Sequence, residues 1–279
     1  MSSADIQTYP ESADSAINRH KERAHYDVET IHSIINTTPV AHVSFIPDPS
    51  NPKPVVLPMI ARVGTFPGDA EPAVYIHGYV SARLFRPQTG RSEPATRDSD
   101  EGLPVCIAAT KIDNLVLALT PFNHSYDYRS AVVHGAATLL DPGTRDDPRN
   151  REEIIYAMRL ITDGIVPGRW ENSRVPPDEG EIASTRILKV RIDSASAKIR
   201  AKGVSDDAKD LKDDETTGRV WTGVIPYVEV LGEPRPAESN KVAHVPEYIS
   251  RYVREHNEKT QVTGTGGLVS RVLGSLFGR

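Results

Sequence analysis

The sequence predicts a mainly β protein, an antiparallel barrel with a few peripheral helices. Two observations carry that reading. Seven or so stretches alternate apolar and polar residues with period two. The first three of them follow one another with no helix between, which argues against parallel βαβ units.

The elements follow in order. Residues 1–22 are polar and aperiodic and read as a flexible arm. Asp27 is a good N-cap for a helix carrying Val28, Ile31, Ile34 and Ile35 on one stripe, closed by Pro39. Ala41, Val43 and Phe45 form a strand. Val55, Leu57, Met59, Ala61 and Val63 form another, which Pro58 marks as an edge or a bulge. Val74 to Tyr79 is a third, and Ser81 to Arg86 reads as a short helix before an exposed loop over 87–102. Val105–Thr110 and Leu115–Leu119 read as a hairpin turning at Asp113-Asn114. Ala131–Leu140 is a strong strand. Asp146 or Asp147 then caps a helix with Pro148 near its first position and Ile154, Ile155, Met158 and Ile161 on one face, ending near Gly164. Residues 171–183 read as loop, Arg186 to Ile199 as a long strand, and the acidic run Asp206–Glu215 as a solvated connection. Trp221–Val230, with Pro226 inside it, is the last strand, and Val245–Lys259 a closing helix.

Composition excludes several classes. The single cysteine rules out an internal disulfide framework and a multi-thiolate zinc site. No apolar run approaches the ~18 residues that cross a bilayer, and the N-terminus lacks the apolar core of a secretory signal, so a cytoplasmic protein is expected. With 33 Lys and Arg against 38 Asp and Glu, the net charge of −5 argues against general nucleic-acid affinity. No P-loop, HExxH or GxSxG motif occurs, and Gly264, Gly266 and Gly267 follow a helix near the terminus, where a linker is the simpler reading. Cys106 reads as a core filler, and the nine histidines show no ligand spacing, so no metal site is expected.

Two segments concentrate chemistry. In Tyr75-Ile76-His77-Gly78-Tyr79-Val80-Ser81-Ala82-Arg83 a strand runs into a helix start, whose unpaired amides suit a phosphate; Ser81 adds a hydroxyl and Arg83 a permanent cation. A capping serine beside a solvated arginine is the plain alternative. Phe122-Asn123-His124-Ser125-Tyr126-Asp127-Tyr128-Arg129-Ser130 gathers an imidazole, two phenols and a guanidinium at one strand mouth, either to flank a flat ring or as an ordinary polar loop.

The order PVAHVSF, LPM, YIHGYVSARL, VCIAAT, NHSYDYRSAVVHG and SASAKIR resembles the pyridoxamine 5′-phosphate oxidase-like, FMN-binding split-barrel family, in particular its flavin-nucleotide-binding and nitroimidazole-reductase-like branch. The resemblance covers roughly residues 20–230. It implies a six-stranded antiparallel split β-barrel over 23–260, dimerising with FMN at the two-fold interface. Ser81 and Arg83 would hold the phosphate, Ile76 and His77 the ribityl chain and ring, and the backbone around Pro58 and Met59 the isoalloxazine edge. Tyr128, Arg129 and Ser130 match the family's YRS element, on the flavin or the dimer partner. Arg169-Trp170, Arg174 to Pro177 and the segment starting at Trp221 match elements at the flavin entrance. Ala82 stands where true oxidases carry an arginine, and their C-terminal pyridoxal-phosphate segment has no match, which argues against vitamin B6 oxidation.

The resemblance implies an oxidoreductase passing electrons from NADH or NADPH through FMN to a small acceptor, with His77 or His124 a candidate proton donor. A flavin-storage protein and a haem-binding protein on the same barrel are the alternatives. Residues 261–279 are a glycine linker and a short amphipathic tail, Leu268 to Phe277, suited to a membrane surface or partner groove but expected to pack back or lie disordered.

Overall fold

The computed structural model describes residues 7–79, 84, 102–140 and 148–263. The expected helix over 81–86 (apart from Leu84), the loop after it, the caps at Asp146 and Asp147 and the C-terminal tail lie outside the described residues. No helix among them is long and apolar enough to cross a membrane.

Asp27 caps α1 (Val28–Thr37), its carboxylate accepting from the Thr30 N–H at 2.8 Å. Upstream, Tyr9 and Tyr26 are joined through their backbones, and β1 (Ala24–His25) pairs with Ala197 and Lys198. The strands are β2 (Ala41–Phe45), β3 (Val55–Met59), β4 (Ala61–Gly64), β5 (Ala73–Tyr79), β6 (Leu103–Leu117), β7 (Ser125–Leu140), β8 (Thr185–Arg200) and β9 (Gly223–Pro226). The main path runs β3-β2-β6-β7-β8-β5-β4. β3 and β4 therefore stand at opposite ends of the sheet, yet only Ile60 separates them in the chain. One covalent residue closes the barrel. The single strand expected over 55–63 is thus two strands; Pro58 sits in β3, which has β2 as its one neighbour and can spare the missing N–H. Counted as one strand kinked at Ile60, β3 and β4 leave six strands in the path.

The barrel interior is lined by Val43, Phe45, Val74, Ile76, Val105, Ile107, Val133, Leu188 and Val190, with Ala109, Ala131, Ala137, Ala195 and Ala197. The small alanines leave room for Ile31, Ile34 and Ile35 of α1, which enter the same core. Along β8 the inward set changes from even to odd numbers, because Asp193 is an extra residue: Gly135 faces Ile192 whereas His134 faces Ser194. That bulge resets the alternation.

Outside the barrel, α2 (Pro148–Ile165) lays Ile154, Ala157 and Ile161 on Ala73, Tyr75, Leu140 and Ile187, with Ile182 of α3 (Glu179–Ser184) completing the cluster. α3 occupies part of the expected 171–183 loop. Asp178 accepts from the Glu181 N–H and Glu181 from the Asp178 N–H, both at 2.9 Å, a capping box. Arg62 of β4 binds the two helix ends together, donating to the carbonyls of Thr38 after α1 and of Gly164 in α2 at 3.3 and 2.7 Å.

The backbone packs as two compact units: Met1–Lys111 with Tyr128–Arg200, and Ile112–Asp127 with Ala201–Arg279. In the second unit the expected turn at Asp113-Asn114 is absent. Residues 112–117 stay in strand β6, since β9 pairs with Asn114 to Leu117 and supplies the ladder that a turn would forfeit. The reversal comes at Thr120–Asn123, closed by the Asn123 N–H on the Thr120 carbonyl at 3.1 Å. β7 consequently begins at Ser125. The acidic run holds a 3-10 turn and α4 (Asp214–Arg219), whose N-terminus Asp213 caps, and α5 (Glu247–Thr263) ends the described chain. The last strand is confined to Gly223–Pro226.

Candidate functional site

β5 lies between β4 and β8, and its two faces have different fates. Ile76 is fully buried in the barrel, so only its backbone is available to a ligand. Tyr75 and His77 point outward. His77 stands opposite Ile187, with Nδ1 buried and without a hydrogen-bond partner. Burial also lowers its pKa, which leaves the imidazole neutral at pH 7. Gly78 and the exposed Tyr79 end the strand opposite Arg186 and Thr185. Ser81 and Arg83, the expected phosphate ligands, lie outside the described residues.

Pro58 faces solvent opposite His42, and Met59 packs partly against the barrel core opposite Ala41. Tyr128, Arg129 and Ser130 are strand residues, not loop, and face Arg200, Ile199 and Lys198 of β8. The Ser130 hydroxyl donates to the Lys198 carbonyl at 3.4 Å. Trp170 is half-buried in the turns after α2, its backbone N–H donating to Asp163 Oδ1 at 2.8 Å. Arg174 is paired with Glu181 at the start of α3, and that carboxylate raises the guanidinium's pKa further. In the second unit His124 Nδ1 accepts from the Ala118 N–H at 3.1 Å, so the neutral ring keeps its proton on Nε2.

Among the described residues, His77 and Ser130 do not meet within one chain. The β8 register puts His77 and Gly78 at Ile187 and Arg186, but Ser130 at Lys198. Arg186 and Lys198 are on the order of 35 Å apart along an extended strand. The end of β5 and the stretch Tyr128–Ser130 therefore pair with opposite ends of β8.

Sequence reasoning missed the polar cluster behind His77 on the same outer face. Glu153 is fully buried beneath α2 and accepts from the Tyr75 hydroxyl and from Lys189 Nζ, each at 2.7 Å. Lys189 also pairs with Asp69, which Arg149 holds at 2.6 Å. Burial works to raise the Asp69 carboxyl, but Lys189 and Arg149 outweigh it and hold the pKa below the ordinary value. Burial, with Glu153 next, pushes the Tyr75 phenol well above the ordinary range. The signal was present: Glu153 falls on the apolar stripe with Ala157 and Ile161, where a carboxylate requires a partner. A cleft of about 390 Å³ lies nearby, lined by Asn36, Arg62, Tyr156, Arg159, Leu160, Asp163 and Gly164, none of them an expected site residue. Among the described residues no three His, Cys, Asp or Glu side chains are grouped to hold a metal.

No curated protein matches the chain. Among solved structures it is similar to the flavocytochrome Anf3 from Azotobacter vinelandii, at 29% identity and a TM-score of 0.65 over 86% of this chain and 97% of that one. It is also similar to an FAD and heme binding protein from Mycobacterium smegmatis, at 25% identity and a TM-score of 0.62 over 83% and 97%. The sequence profile described as pyridoxamine 5′-phosphate oxidase matches residues 27–199, from the α1 cap to the end of β8 and more than half of the chain. With the antiparallel barrel and the order of its motifs, that match makes this chain a member of the pyridoxamine 5′-phosphate oxidase family.

Proposed function

We propose that this chain is a flavin-binding redox protein that works as a homodimer, passing electrons from a reduced nicotinamide to a small acceptor. The observation that carries it is the likeness, along 97% of their lengths, to two solved proteins whose names both state a flavin. The chain's own residues fit such a ligand. The strand leading to Ser81 and Arg83 ends with an orphaned buried imidazole nitrogen on His77, a group that gains a partner when a polar ligand arrives. A bound flavin would supply two-electron chemistry; the protein's part is to hold and orient it and to exclude water. The family resemblance favours FMN, and the Mycobacterium smegmatis neighbour's name favours FAD. Both share the phosphorylated riboflavin end that Ser81 and Arg83 would hold. A homodimer explains why the β5 end and the Tyr128–Ser130 segment stand far apart in one chain: each copy would supply one of them.

A second reading adds haem, because both neighbours' names carry it. An exposed histidine such as His42 or His244 would then be a candidate to hold the iron.

The visible spectrum of the purified protein and the mass of the molecule released on denaturation test these readings. Two flavin bands are expected, and a Soret band besides them supports haem. A colourless protein that takes up neither FMN nor FAD overturns the proposal. In Arg83→Ala, loss of one charge-assisted phosphate contact, worth about 1.5–3 kcal/mol, is expected to weaken flavin binding by a factor of roughly 10 to 100. Unchanged affinity in a titration would remove Arg83 from the site.

A further inference from the structure

The ribbon that β9 forms with the end of β6 has two unequal faces. Leu115 stands opposite Ile225 and Leu117 opposite Gly223, and the Tyr227 N–H donates to the Asp113 carbonyl at 2.9 Å. Residues opposite one another in an antiparallel ladder share a face, so Leu115, Leu117, Ile225 and Tyr227 look the same way. Trp221 joins them: a Cβ on Gly223 would run into its ring, which therefore lies over that glycine. The other face is occupied. There Val116 is buried, and the buried Asp127 accepts from the Asn114 amide and from the Gly203 N–H. With Asp127 turned to that side, its strand neighbour Tyr126 belongs to the first. The outcome is one apolar face, three strands wide, on which Trp221 is 66% exposed and Tyr126, Ile225 and Tyr227 are exposed with it.

We infer that this face is the seat of the chain's own C-terminal tail, Leu268 to Phe277. Size, reach and charge select that occupant. From Trp221 to Tyr227 the face is about 20 Å long, and three strands make it about 10 Å wide. Leu268, Val269, Val272, Leu273, Leu276 and Phe277 fall on one stripe at helical spacing, and ten residues of helix are about 15 Å long and 10 Å across. So small a footprint is well short of the ~800 Å² that each of two separate molecules buries in a stable interface, whereas a tethered segment is held near by its linker. Reach is sufficient. Asn257 of α5 bonds both backbone groups of Leu231, which lies four residues beyond Tyr227 and so at most about 14 Å from it. From Asn257 the rest of α5 and the glycine linker together span up to about 25 Å before Leu268. Charge points the same way. Residues 261–279 carry Arg271 and Arg279 and no Asp or Glu, whereas residues 201–260 carry 9 Lys and Arg against 12 Asp and Glu. Asp113 stands at the Tyr227 end of the face.

Amide exchange in the full chain, with acrylamide quenching of Trp221 in a Trp170→Phe background, tests this. Amides of residues 268–277 are expected to exchange at least about tenfold more slowly than in a peptide of the same sequence, equally at low and high protein concentration. Ending the chain at Thr263 is expected to raise the quenching of Trp221 roughly twofold, as a covered ring becomes one that is 66% exposed. Ile225→Asp is expected to return the tail to fast exchange while β5 and β8 keep their protection. Leu273→Asp does the same from the tail's side and leaves the ribbon's own residues untouched, so damage to the ribbon does not obscure the result. An unprotected tail, protection that falls on dilution, or a Trp221 equally quenched with and without residues 264–279 overturns the inference. Protection that appears only when vesicles of anionic phospholipid are added overturns it too, and assigns the tail to a membrane surface. Flavin enters none of these readouts, so the proposed function and the seat of the tail fail separately.

Discussion

Replacing Glu153 with alanine is expected to cost about 3–5 kcal/mol, a large share of the 5–15 kcal/mol that holds a typical domain folded. Glu153 has no exposed surface, and it ties α2 to β5 through the Tyr75 hydroxyl and to β8 through Lys189. Without it the phenol has lost its acceptor in a dry site, Lys189 keeps only Asp69 of its two carboxylate partners, and a cavity opens beneath the helix. Tyr75→Phe removes one donor and leaves Lys189 in place, so a loss nearer 1–2 kcal/mol is expected. Denaturant midpoints compare the two, and a Glu153→Ala loss below about 1 kcal/mol would show that the cluster contributes little. The same cluster has an acid limit. Because the folded Asp69 carboxyl sits below its ordinary value, its contribution is complete above the unfolded carboxylate pKa of about 3.9 and is lost as pH falls through the lower folded value. Asp69→Asn is expected to flatten the stability profile below about pH 4.

The second large effect belongs to Gly135. A Cβ at this position would fall far inside van der Waals contact of the Arg191 carbonyl oxygen and 3.1 Å from Val190 Cγ1. The obstacle is backbone, and it lies beside the bulge where Asp193 has no partner across the ladder. Gly135→Ala must therefore part β7 from β8 at the point where their register is set, and about 3 kcal/mol is expected to be lost. Gly218 is the control. Nothing lies within 4 Å of a Cβ placed there, and in α4 an alanine is favoured over glycine by up to about 1 kcal/mol. Gly218→Ala should leave the midpoint unchanged or raise it, and equal effects at the two glycines would refute the steric argument.

What could be read from the sequence was local. The Asp27 cap with Ile31, Ile34 and Ile35, the alternation of β2 and β5, the edge character of Pro58 and the stripe of α2 all express the chain's own periodicity. Long-range pairing decided the rest. Asp113-Asn114 has turn chemistry, yet β9, more than a hundred residues later, supplies a ladder that keeps these residues in strand. Nothing around Ile60 announces that the strands on its two sides belong to opposite ends of a sheet. The Asp193 bulge shifts the inward set onto Ala195 and Ala197, small residues whose alternation is faint. Two features were legible and overlooked: the Asp178–Glu181 capping box and Glu153 on an apolar stripe. For the site, adjacency in sequence misled. His77 and Ser130 each sit in a segment rich in donors, but the length of β8 between them is visible only once the register is known.

Closing a barrel through Ile60 also fixes when it can close. β5 gains its second neighbour only from β8, more than a hundred residues further along the chain. At 5–20 residues per second a ribosome needs on the order of ten seconds to cover that stretch. Throughout it, β2 to β5 wait with open edges, and the isoleucines of α1 wait for a core that does not yet exist. The nascent chain is at its most vulnerable to aggregation in that interval, and substitutions on β8 should depress the yield of folded protein more than their effect on the finished molecule would suggest.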